Sequence, residues 1–206
     1  MKIQILDYGS GNLFSISDSI SRISEEAQVS VGSSYKRGTV DALVLPGVGS
    51  FTSAQRILSE NRQAILDDIK EKGMPVLGIC LGMQLMFETS EEGGGEGLGL
   101  FRGGNKRFVP SPTRKVPHMG WNTISLMKKR SAILQGVDDS SWVYYVHSFY
   151  PATEDENSIR AWTDYEGQRF PATVESGKIF GTQFHPEKSH AAGAKIISNF
   201  LKSIPK

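Results

Sequence analysis

Residues 75–84 read PVLGICLGMQ, and this order of apolar residues, glycines and a cysteine predicts the fold around it. The apolar run 75–79 predicts a buried strand, and 81–87 predicts the start of a helix. Gly78 and Gly82 flank Cys80, so the chain would turn from strand to helix within a few residues. A strand, Gly-x-Cys-x-Gly and a helix in this order are typical of a nucleophile elbow, in which glycines let neighbouring backbone approach closely.

Two interpretations of Cys80 follow from this stretch. In the functional one, the thiol lies at a helix N-terminus, where backbone N–H groups and the helix dipole favour the thiolate. The N–H of Leu81 would then be placed to donate to an oxyanion. In the structural one, Cys80 is simply a buried thiol, because cysteine is among the most buried residue types. The pentapeptide alone leaves both interpretations open.

The first half of the chain alternates short apolar runs with segments of helical periodicity. Strands are predicted at 3–6, 29–31, 42–45 and 75–79, and helices at 13–23, 57–69 and from 81 to 87. Such alternation predicts a parallel sheet that is covered by helices on both faces.

The second half is richer in strands. They are predicted at 121–126, 142–150, 158–163, 172–175 and 179–183, before a final helix at 192–202. The glycine-rich stretch EEGGGEGLG at 91–99 is predicted to be a loop. Because neither a repeat nor a linker is evident, the sequence predicts a single α/β domain over residues 1–206.

Composition and charge narrow the classes of function. A net charge of +1 offers no basic surface for nucleic acid or an anionic membrane. No segment approaches the ~20 apolar residues of a membrane span. The one cysteine cannot form an internal disulfide, which fits a reducing compartment, so a cytoplasmic protein is expected. No Cys/His cluster has metal-ligand spacing, so no metal is expected.

The sequence FHPEK at 184–188 supplies the base that a nucleophilic thiol needs. His185 follows the last predicted strand, near the strand ends where sites in parallel sheets gather. Glu187 can reach its imidazole because residues i and i+2 at a strand end point to the same side. We therefore predict that His185 acts as general base and then general acid, with Glu187 fixing its tautomer. The remaining histidines are interpreted as hydrogen-bonded or solvated side chains: His118, His147 and His190.

A second glycine turn, PGVG at 46–49, follows the strand predicted at 42–45. It is either a simple turn or a second source of oxyanion N–H groups, at Val48 and Gly49, beside that of Leu81. Because two glycines also permit a peptide flip, such a donor could be switched on and off.

These motifs together resemble the class I (triad) glutamine amidotransferases, from the first strand to the last helix. The resemblance is carried by GICLGMQ, PGVG and FHPEKS. Three further stretches are similar to the glutaminase subunits of imidazole glycerol phosphate synthases: DYGSGNL at 7–13, PHMGWN at 117–122 and YYVHSFY at 144–150. The resemblance implies a three-layer α/β/α fold with a mostly parallel central sheet and a nucleophile elbow.

The resemblance also implies roles for individual residues. Cys80 would attack the side-chain amide of L-glutamine, His185 would serve as base and acid, and Glu187 would complete the triad. The amino-acid end of glutamine would be held at Gln84, Glu92, Ser148 and Phe149. No cofactor is implied.

Members of this family pass ammonia to a partner chain. The implied partner is the (β/α)8-barrel cyclase subunit of an imidazole glycerol phosphate synthase, which makes imidazole glycerol phosphate and AICAR from PRFAR in L-histidine biosynthesis. Five residues are implied at the interface of this heterodimer: Asn12, Met119, Trp121, Tyr144 and Lys188. Core packing is the alternative interpretation of Trp121 and Tyr144.

Three other functions stay open at this point. The chain could feed a different synthase, such as anthranilate synthase, although PHMGWN and DYGSGNL argue against it. It could be a non-catalytic glutamine-binding or scaffold subunit, although the complete Cys-His-Glu set argues against that. It could also be a stand-alone amidase or cysteine peptidase, which would turn over without any partner.

Overall fold

A computed structural model describes residues 1–9 and 12–205. Ser10 and Gly11 of the DYGSGNL motif lie outside the described residues, as does Lys206. The strands of the first half are β1 (Lys2–Leu6), β2 (Gln28–Gly32), β3 (Ala42–Leu45), β4 (Val76–Ile79), β5 (Thr89–Ser90) and β6 (Gly104–Arg107). Those of the second half are β7 (His118–Thr123), β8 (Ser125–Leu126), β9 (Trp142–His147), β10 (Phe149–Ala152), β11 (Ile159–Tyr165), β12 (Gln168–Ser176) and β13 (Ile179–Thr182). The helices are α1 (Leu13–Ile23), α2 (Phe51–Lys72), α3 (Leu81–Gln84) and α4 (His190–Ser203), with a 3-10 turn at Pro186–Lys188.

The central sheet has eight strands in the order β2-β1-β3-β4-β13-β12-β11-β8. The first five strands run parallel, and the last three are added in antiparallel fashion. The mostly parallel sheet expected from the sequence is therefore confirmed. Two smaller sheets flank it, one of β10, β6 and β5 and one of β7 and β9.

Helices cover both faces of the central sheet, as β3 illustrates. All four of its residues are buried. Ala42 and Val44 lie in the core cluster that contains residues of α1 and α4, whereas Leu43 and Leu45 lie in the cluster that contains residues of α2. A strand buried on both faces must be apolar throughout, and each fully buried Leu or Val contributes about 1.5–3 kcal/mol. The three-layer α/β/α arrangement is confirmed.

Helix α2 begins six residues before the predicted start at 57. The side chain of Ser50 accepts a hydrogen bond from the N–H of Ser53 at 3.2 Å and so caps the helix. The first turn is held to the sheet by buried Phe51 and Ala54. The helix ends at Gly73, whose φ of 59° is the left-handed conformation that favours glycine at this position.

Two predicted strands each divide into two strands in different sheets. The segment predicted at 121–126 forms β7 and β8, which separate at the buried Ile124, and 142–150 forms β9 and β10, which separate at Ser148. Helix α3 is also shorter than predicted. The N–H groups of Met86 and Phe87 bond to carbonyls three residues back, so the helix gives way to turns after Gln84.

The predicted loop at 91–99 contains no helix or strand. Within residues 1–9 and 12–205, no helix is long and apolar enough to span a bilayer.

Candidate active site

Cys80 lies at the sharp turn between β4 and α3, near the middle of the central sheet. Its backbone has φ 48° and ψ −102°, a conformation that L-residues rarely adopt and that costs on the order of 1–3 kcal/mol. The turn is fixed by the Cys80 N–H, which donates to the carbonyl of Thr182 on β13 at 2.7 Å. The predicted strand–elbow–helix arrangement is therefore confirmed.

The two glycines beside Cys80 are required by close backbone contacts. A Cβ at Gly78 would lie 2.7 Å from the backbone of Gly82, and a Cβ at Gly82 would lie 2.0 Å from the carbonyl oxygen of Leu45. Both contacts are with backbone atoms that a side chain cannot displace. The elbow thus closes tightly only with glycine at both positions.

His185 and Glu187 form a buried pair next to this elbow. The imidazole Nδ1 lies 2.8 Å from Glu187 Oε1, and both side chains are only 1% exposed. The backbone of His185 is held from two sides, because its N–H donates to the Tyr144 carbonyl and its carbonyl accepts from the Ser189 hydroxyl. Among the described residues, Nε2 of His185 is buried without a hydrogen-bond partner. This is the nitrogen that a triad base uses.

The charge balance around His185 favours its protonated form. Burial alone lowers the pKa of this imidazole, but the negative charges of Cys80 and Glu187 outweigh burial and raise the pKa to about 10. At neutral pH the imidazole is therefore protonated, and it lies beside Cys80. Such a pairing with a cationic histidine is what makes a cysteine nucleophilic.

A single pocket of about 340 Å³ connects Cys80 with the positions predicted for substrate and oxyanion. Its volume falls in the range typical of small-molecule sites. The lining includes every residue predicted for these two tasks: Val48, Gly49, Leu81, Gln84, Glu92, Ser148 and Phe149. Neither His185 nor Glu187 is among the residues that line this pocket.

The predicted oxyanion donor at Leu81 is engaged in this structure. Its N–H donates to the carbonyl of Gly47 at 3.4 Å. The PGVG turn therefore places a carbonyl where the negative oxygen of a tetrahedral intermediate would need a donor. Gly49, at the end of the turn, has φ 122°, which is accessible to glycine but strained for other residues.

Two of the predicted substrate-binding side chains are held by hydrogen bonds within the protein. The buried amide of Gln84 donates to the carbonyl of Phe149 at 2.7 Å and to the side-chain oxygen of Gln183 at 3.1 Å. The carboxylate of Glu92 accepts from the N–H of Phe51 at the start of α2. Both side chains are thereby fixed at the pocket wall.

The sulfur of Cys80 contacts two groups that sequence reasoning missed. The amide of Gln183 donates to Sγ at 3.3 Å, and the carbonyl of Val146 lies 3.8 Å away as an acceptor for the S–H. Gln183 is directly before the FHPEK motif, but a glutamine there gave no signal that its side chain turns toward the thiol.

Sequence reasoning also missed that His118 and His147 form a buried chain of hydrogen bonds. His147 Nδ1 lies 2.8 Å from the carbonyl of Phe149, so this nitrogen must carry the hydrogen. Its Nε2 then accepts from Nδ1 of His118 at 3.0 Å, and Nε2 of His118 accepts from the amide of Asn122 at 3.4 Å. Burial lowers the pKa of His118 to about 4 and that of His147 to about 3, so both rings are neutral. The interpretation of these histidines as hydrogen-bonded is confirmed.

Four of the five residues predicted for a partner interface lie on β7, β9 and the turn before α4, and they form a surface cluster there. Trp121 is 42% exposed, stacks on His190 at 4.9 Å and meets the edge of Tyr144. Lys188 lies over the ring of Tyr144, and Met119, two residues before Trp121, is 62% exposed. Core packing is therefore the wrong interpretation of Trp121. Tyr144 is partly buried, and Asn12 is exposed at the N-cap of α1.

Within the described part of the chain, no group of three or more His, Cys, Asp or Glu side chains is arranged to hold a metal ion.

Comparisons with known proteins identify the family of the chain. A family model described as glutamine amidotransferase class-I matches residues 5–204. The imidazole glycerol phosphate synthase subunit HisH of Thermosynechococcus vestitus is 42% identical over 200 residues, covering 97% of this chain and 95% of the relative. The protein of the same name from Geobacillus kaustophilus is 45% identical over 206 residues, with 97% and 95% covered.

Solved structures support the fold. A putative GMP synthase subunit from Thermoplasma acidophilum has a TM-score of 0.74 at 20% identity and covers 98% of this chain and 93% of its own. PurLQS from Thermotoga maritima also has a TM-score of 0.74, at 18% identity, with 98% and 97% covered. At these identities the likeness concerns the fold alone.

Proposed function

Because the chain belongs to the class-I glutamine amidotransferases, and within them to the family of the imidazole glycerol phosphate synthase subunits HisH, we propose that Cys80, His185 and Glu187 hydrolyse L-glutamine to glutamate and ammonia. The chain is a glutamine-hydrolysing enzyme by family. The observation that carries the triad is the buried His185–Glu187 pair beside an elbow cysteine that opens into a pocket.

In the first half-reaction, the Cys80 thiolate attacks the side-chain carbonyl carbon of glutamine. A C–S bond forms and the carbonyl oxygen becomes an oxyanion. The C–N bond then breaks, and the imidazolium of His185 gives its proton to the departing nitrogen, which leaves as ammonia. The product on the enzyme is a γ-glutamyl thioester on Cys80. Glu187 keeps the imidazole in the tautomer whose Nε2 faces the reaction.

In the second half-reaction, the now neutral His185 takes a proton from water. The resulting hydroxide attacks the thioester carbon and the C–S bond breaks. The γ-carboxylic acid that forms loses its proton to solvent and leaves as glutamate. Cys80 departs as a thiolate and His185 is again protonated, so the charge pair of the resting site is restored. The pocket lining at Gln84, Glu92, Ser148 and Phe149 is proposed to hold the amino-acid end of glutamine through both steps.

The oxyanion site is proposed to open by rotation of the peptide between Gly47 and Val48. In the present conformation the Gly47 carbonyl accepts from Leu81, so an oxyanion there would meet another oxygen. Rotation would withdraw this carbonyl and turn the N–H of Val48 toward the oxyanion, beside that of Leu81. One such donor is worth about 10²–10³ in rate, so an enzyme that flips this peptide only when ammonia is needed would be strongly gated.

Ammonia is proposed to pass to a separate synthase subunit that docks on the surface cluster around Trp121. The names of the relatives support such a subunit, and the exposed aromatic and apolar side chains of the cluster are typical interface anchors. The finer proposal is a (β/α)8-barrel cyclase that makes imidazole glycerol phosphate and AICAR from PRFAR. A cytoplasmic location, expected from the sequence, remains part of this proposal.

One reconstitution tests the proposal. The chain is mixed with the cyclase subunit of an imidazole glycerol phosphate synthase, PRFAR and glutamine, and release of glutamate and of imidazole glycerol phosphate is followed. We expect coupled formation of both products. The variant Cys80→Ala should lose the glutamine-dependent reaction but leave the complex active with added ammonium, whereas Ser59→Ala, exposed on α2, should behave as wild type. Glutamine-dependent activity in Cys80→Ala would contradict the proposed triad.

The same assay tests the gate. Glutamate release by the chain alone should be about 10²–10³ slower than in the complex with PRFAR. Equal rates would rule out a gated oxyanion site and would favour a stand-alone amidase instead.

A further inference from the structure

Gln183 is a buried polar side chain that contacts the sulfur of Cys80 and has no role in the proposed triad. It follows β13, is fully buried, and its backbone N–H extends the pairing with β12 by donating to Ala172. Its side-chain Nε2 lies 3.3 Å from the sulfur of Cys80. A buried amide next to the attacking atom acts on that atom's charge, because hydrogen bonds are stronger in a low-dielectric interior.

The direction of the Gln183 amide is fixed by its neighbours. The carbonyl of Phe149 can only accept, so the group that Gln84 places 2.7 Å from it must be the NH₂. The same NH₂ lies 3.1 Å from the Gln183 amide and needs an acceptor there, so the oxygen of Gln183 faces Gln84. The NH₂ of Gln183 must then face the sulfur. The chain Phe149–Gln84–Gln183–Cys80 therefore has a single consistent orientation that ends in a donor to Sγ.

We propose that Gln183 is the hydrogen-bond donor that stabilises and aims the Cys80 thiolate, and that Gln84 orients it. This inference rests on the proposed role of Cys80 as nucleophile. The sulfur lies between Gln183 and the carbonyl of Val146. A protonated thiol can donate to that carbonyl, but a thiolate is repelled by it and attracted by the Gln183 N–H. When the thiol loses its proton, its hydrogen bond to the Val146 carbonyl is lost and the one from Gln183 becomes stronger.

The link to Gln84 joins substrate binding to the nucleophile. Gln84 lines the glutamine pocket and also holds the oxygen of Gln183. The side chain proposed to contact the substrate is thus one hydrogen bond away from the side chain that holds the thiolate. The titratable groups around the sulfur are His185 with Glu187 behind it, the neutral His147, and Glu92 on the pocket wall. None of these groups is altered in the test below.

The test uses the fact that Cys80 is the only cysteine in the sequence. The rate of alkylation by iodoacetamide is measured against pH on the intact chain, so that labelling reports this thiol alone. Gln183→Met keeps the length of the side chain but removes the donor. We expect the midpoint of its alkylation rate against pH to rise by about one unit, so that alkylation below the midpoint slows about tenfold. In Gln183→Glu, which keeps the shape but faces the thiolate with a carboxylate, the rise should be larger.

The matched control is Gln4→Met. Gln4 is also a buried glutamine of the central sheet, and its amide donates to the carbonyl of Ser34 at 2.9 Å, away from the sulfur. It should keep the wild-type midpoint even if the variant is less stable. Thermal unfolding establishes that each variant is folded. If Gln183→Met does not fold, the alkylation midpoint of Gln183→Glu tests the inference.

A wild-type midpoint in the folded Gln183 variants would overturn the inference. That outcome is separate from failure of the proposed function, because alkylation requires no glutamine turnover. The proposed function fails instead if Cys80→Ala retains glutamine-dependent activity. In the cyclase complex, Gln183→Met should also lower kcat about tenfold. A variant that changed substrate binding alone would instead raise KM and leave kcat unchanged.

Discussion

At the scale of single residues, the proposed base His185 depends on one carboxylate, that of Glu187. Glu187→Gln removes the charge that helps raise the pKa of His185 to about 10 and replaces it with an amide that can stabilise the wrong tautomer. We expect glutaminase kcat in the cyclase complex to fall about 10²–10⁴-fold with a smaller change in KM, as is typical when acid–base catalysis is disabled. Glu60→Gln, on the exposed surface of α2, is the control.

The stability lost in Glu187→Gln should depend on pH. A histidine whose pKa is raised on folding contributes stability that is fully present below about pH 6.5 and is lost as the pH rises through about 10. Glu187→Gln removes part of that contribution. The difference in unfolding free energy between wild type and variant, measured with urea, should therefore be largest near pH 6 and shrink toward pH 10. A difference that stays constant across this range would show that the pair does not titrate as proposed.

The sequence points individually to the three residues of the proposed triad, but it does not point to Gln183. Cys80 lies in a short motif that predicts a tight strand-to-helix turn, and His185 and Glu187 lie in another whose spacing predicts their contact. The direction of the Gln183 amide depends on Gln84, 99 positions away, and on the carbonyl to which Gln84 is bound. Donor and acceptor direction is a property of a three-dimensional chain of partners, and no local pattern records it.

At the scale of elements, the break between β9 and β10 shapes the substrate pocket. The run from Trp142 to Tyr150 is aromatic and β-branched almost throughout, so its propensity predicts one strand. In the structure the first part pairs with β7 and the second with β6. The chain changes sheet at Ser148, which lines the pocket. Only the pairing partners decide where the strand ends, and these lie elsewhere in the sequence.

The chain of two histidines holds this break in place, and His147→Leu tests it. The substitution deprives His118 of its acceptor and Phe149 of one donor. A buried group left unpaired costs about 1–3 kcal/mol, so the unfolding free energy at pH 7 should fall by that amount. The displaced Phe149 backbone should raise KM for glutamine in the complex. The control is Glu60→Gln in the isolated chain, since Glu60 is exposed on α2.

The sign of the pH effect is opposite to that at His185. Burial lowers the pKa of His118 to about 4 and that of His147 to about 3. The unfolded chain therefore binds protons more readily at these rings than the folded chain does. Stability from these neutral rings is present above about pH 6.5 and is lost as the pH falls toward 4. His147→Leu has only one of these rings, so acidification destabilises it less than it destabilises the wild type. The difference in unfolding free energy between the two should therefore shrink from pH 6.5 to pH 4. A deficit that grows on acidification would contradict neutral rings in the native state.

At the scale of the whole molecule, the strand order explains why residues 105 positions apart form one site. Strands β4 and β13 are parallel neighbours near the centre of the sheet, so Cys80 and His185 emerge from the same edge. The alternation of strands and helices predicted the parallel part of this sheet. It could not predict the antiparallel extension through β12, β11 and β8, or the two side sheets. Local patterns give the apolar face of a strand but not the direction of its neighbour.

The small sheet of β7 and β9 connects the surface cluster with the active site. Trp121 pairs with Tyr144 on the exposed side, and Met119, two positions earlier on β7, pairs with Val146, whose carbonyl lies against the sulfur of Cys80. His118 and His147 pair at the end of the same two strands. The proposed partner, docked on Trp121 and Met119, would thus contact the two strands that carry the Val146 carbonyl and the pocket residue His147.

Trp121→Ala therefore tests both docking and its consequence. If the cluster anchors the synthase partner, the loss of a stacked, exposed indole should weaken the complex by about 2 kcal/mol, roughly thirtyfold in Kd. In the isolated chain the alkylation midpoint of Cys80 should stay as in wild type, because the indole does not touch the pocket. Val109→Ala, which removes an exposed apolar side chain outside β7 and β9, should leave the affinity unchanged. Wild-type affinity in Trp121→Ala would move the proposed interface to another face, and with it the route by which a partner could turn the Gly47 carbonyl away from Leu81.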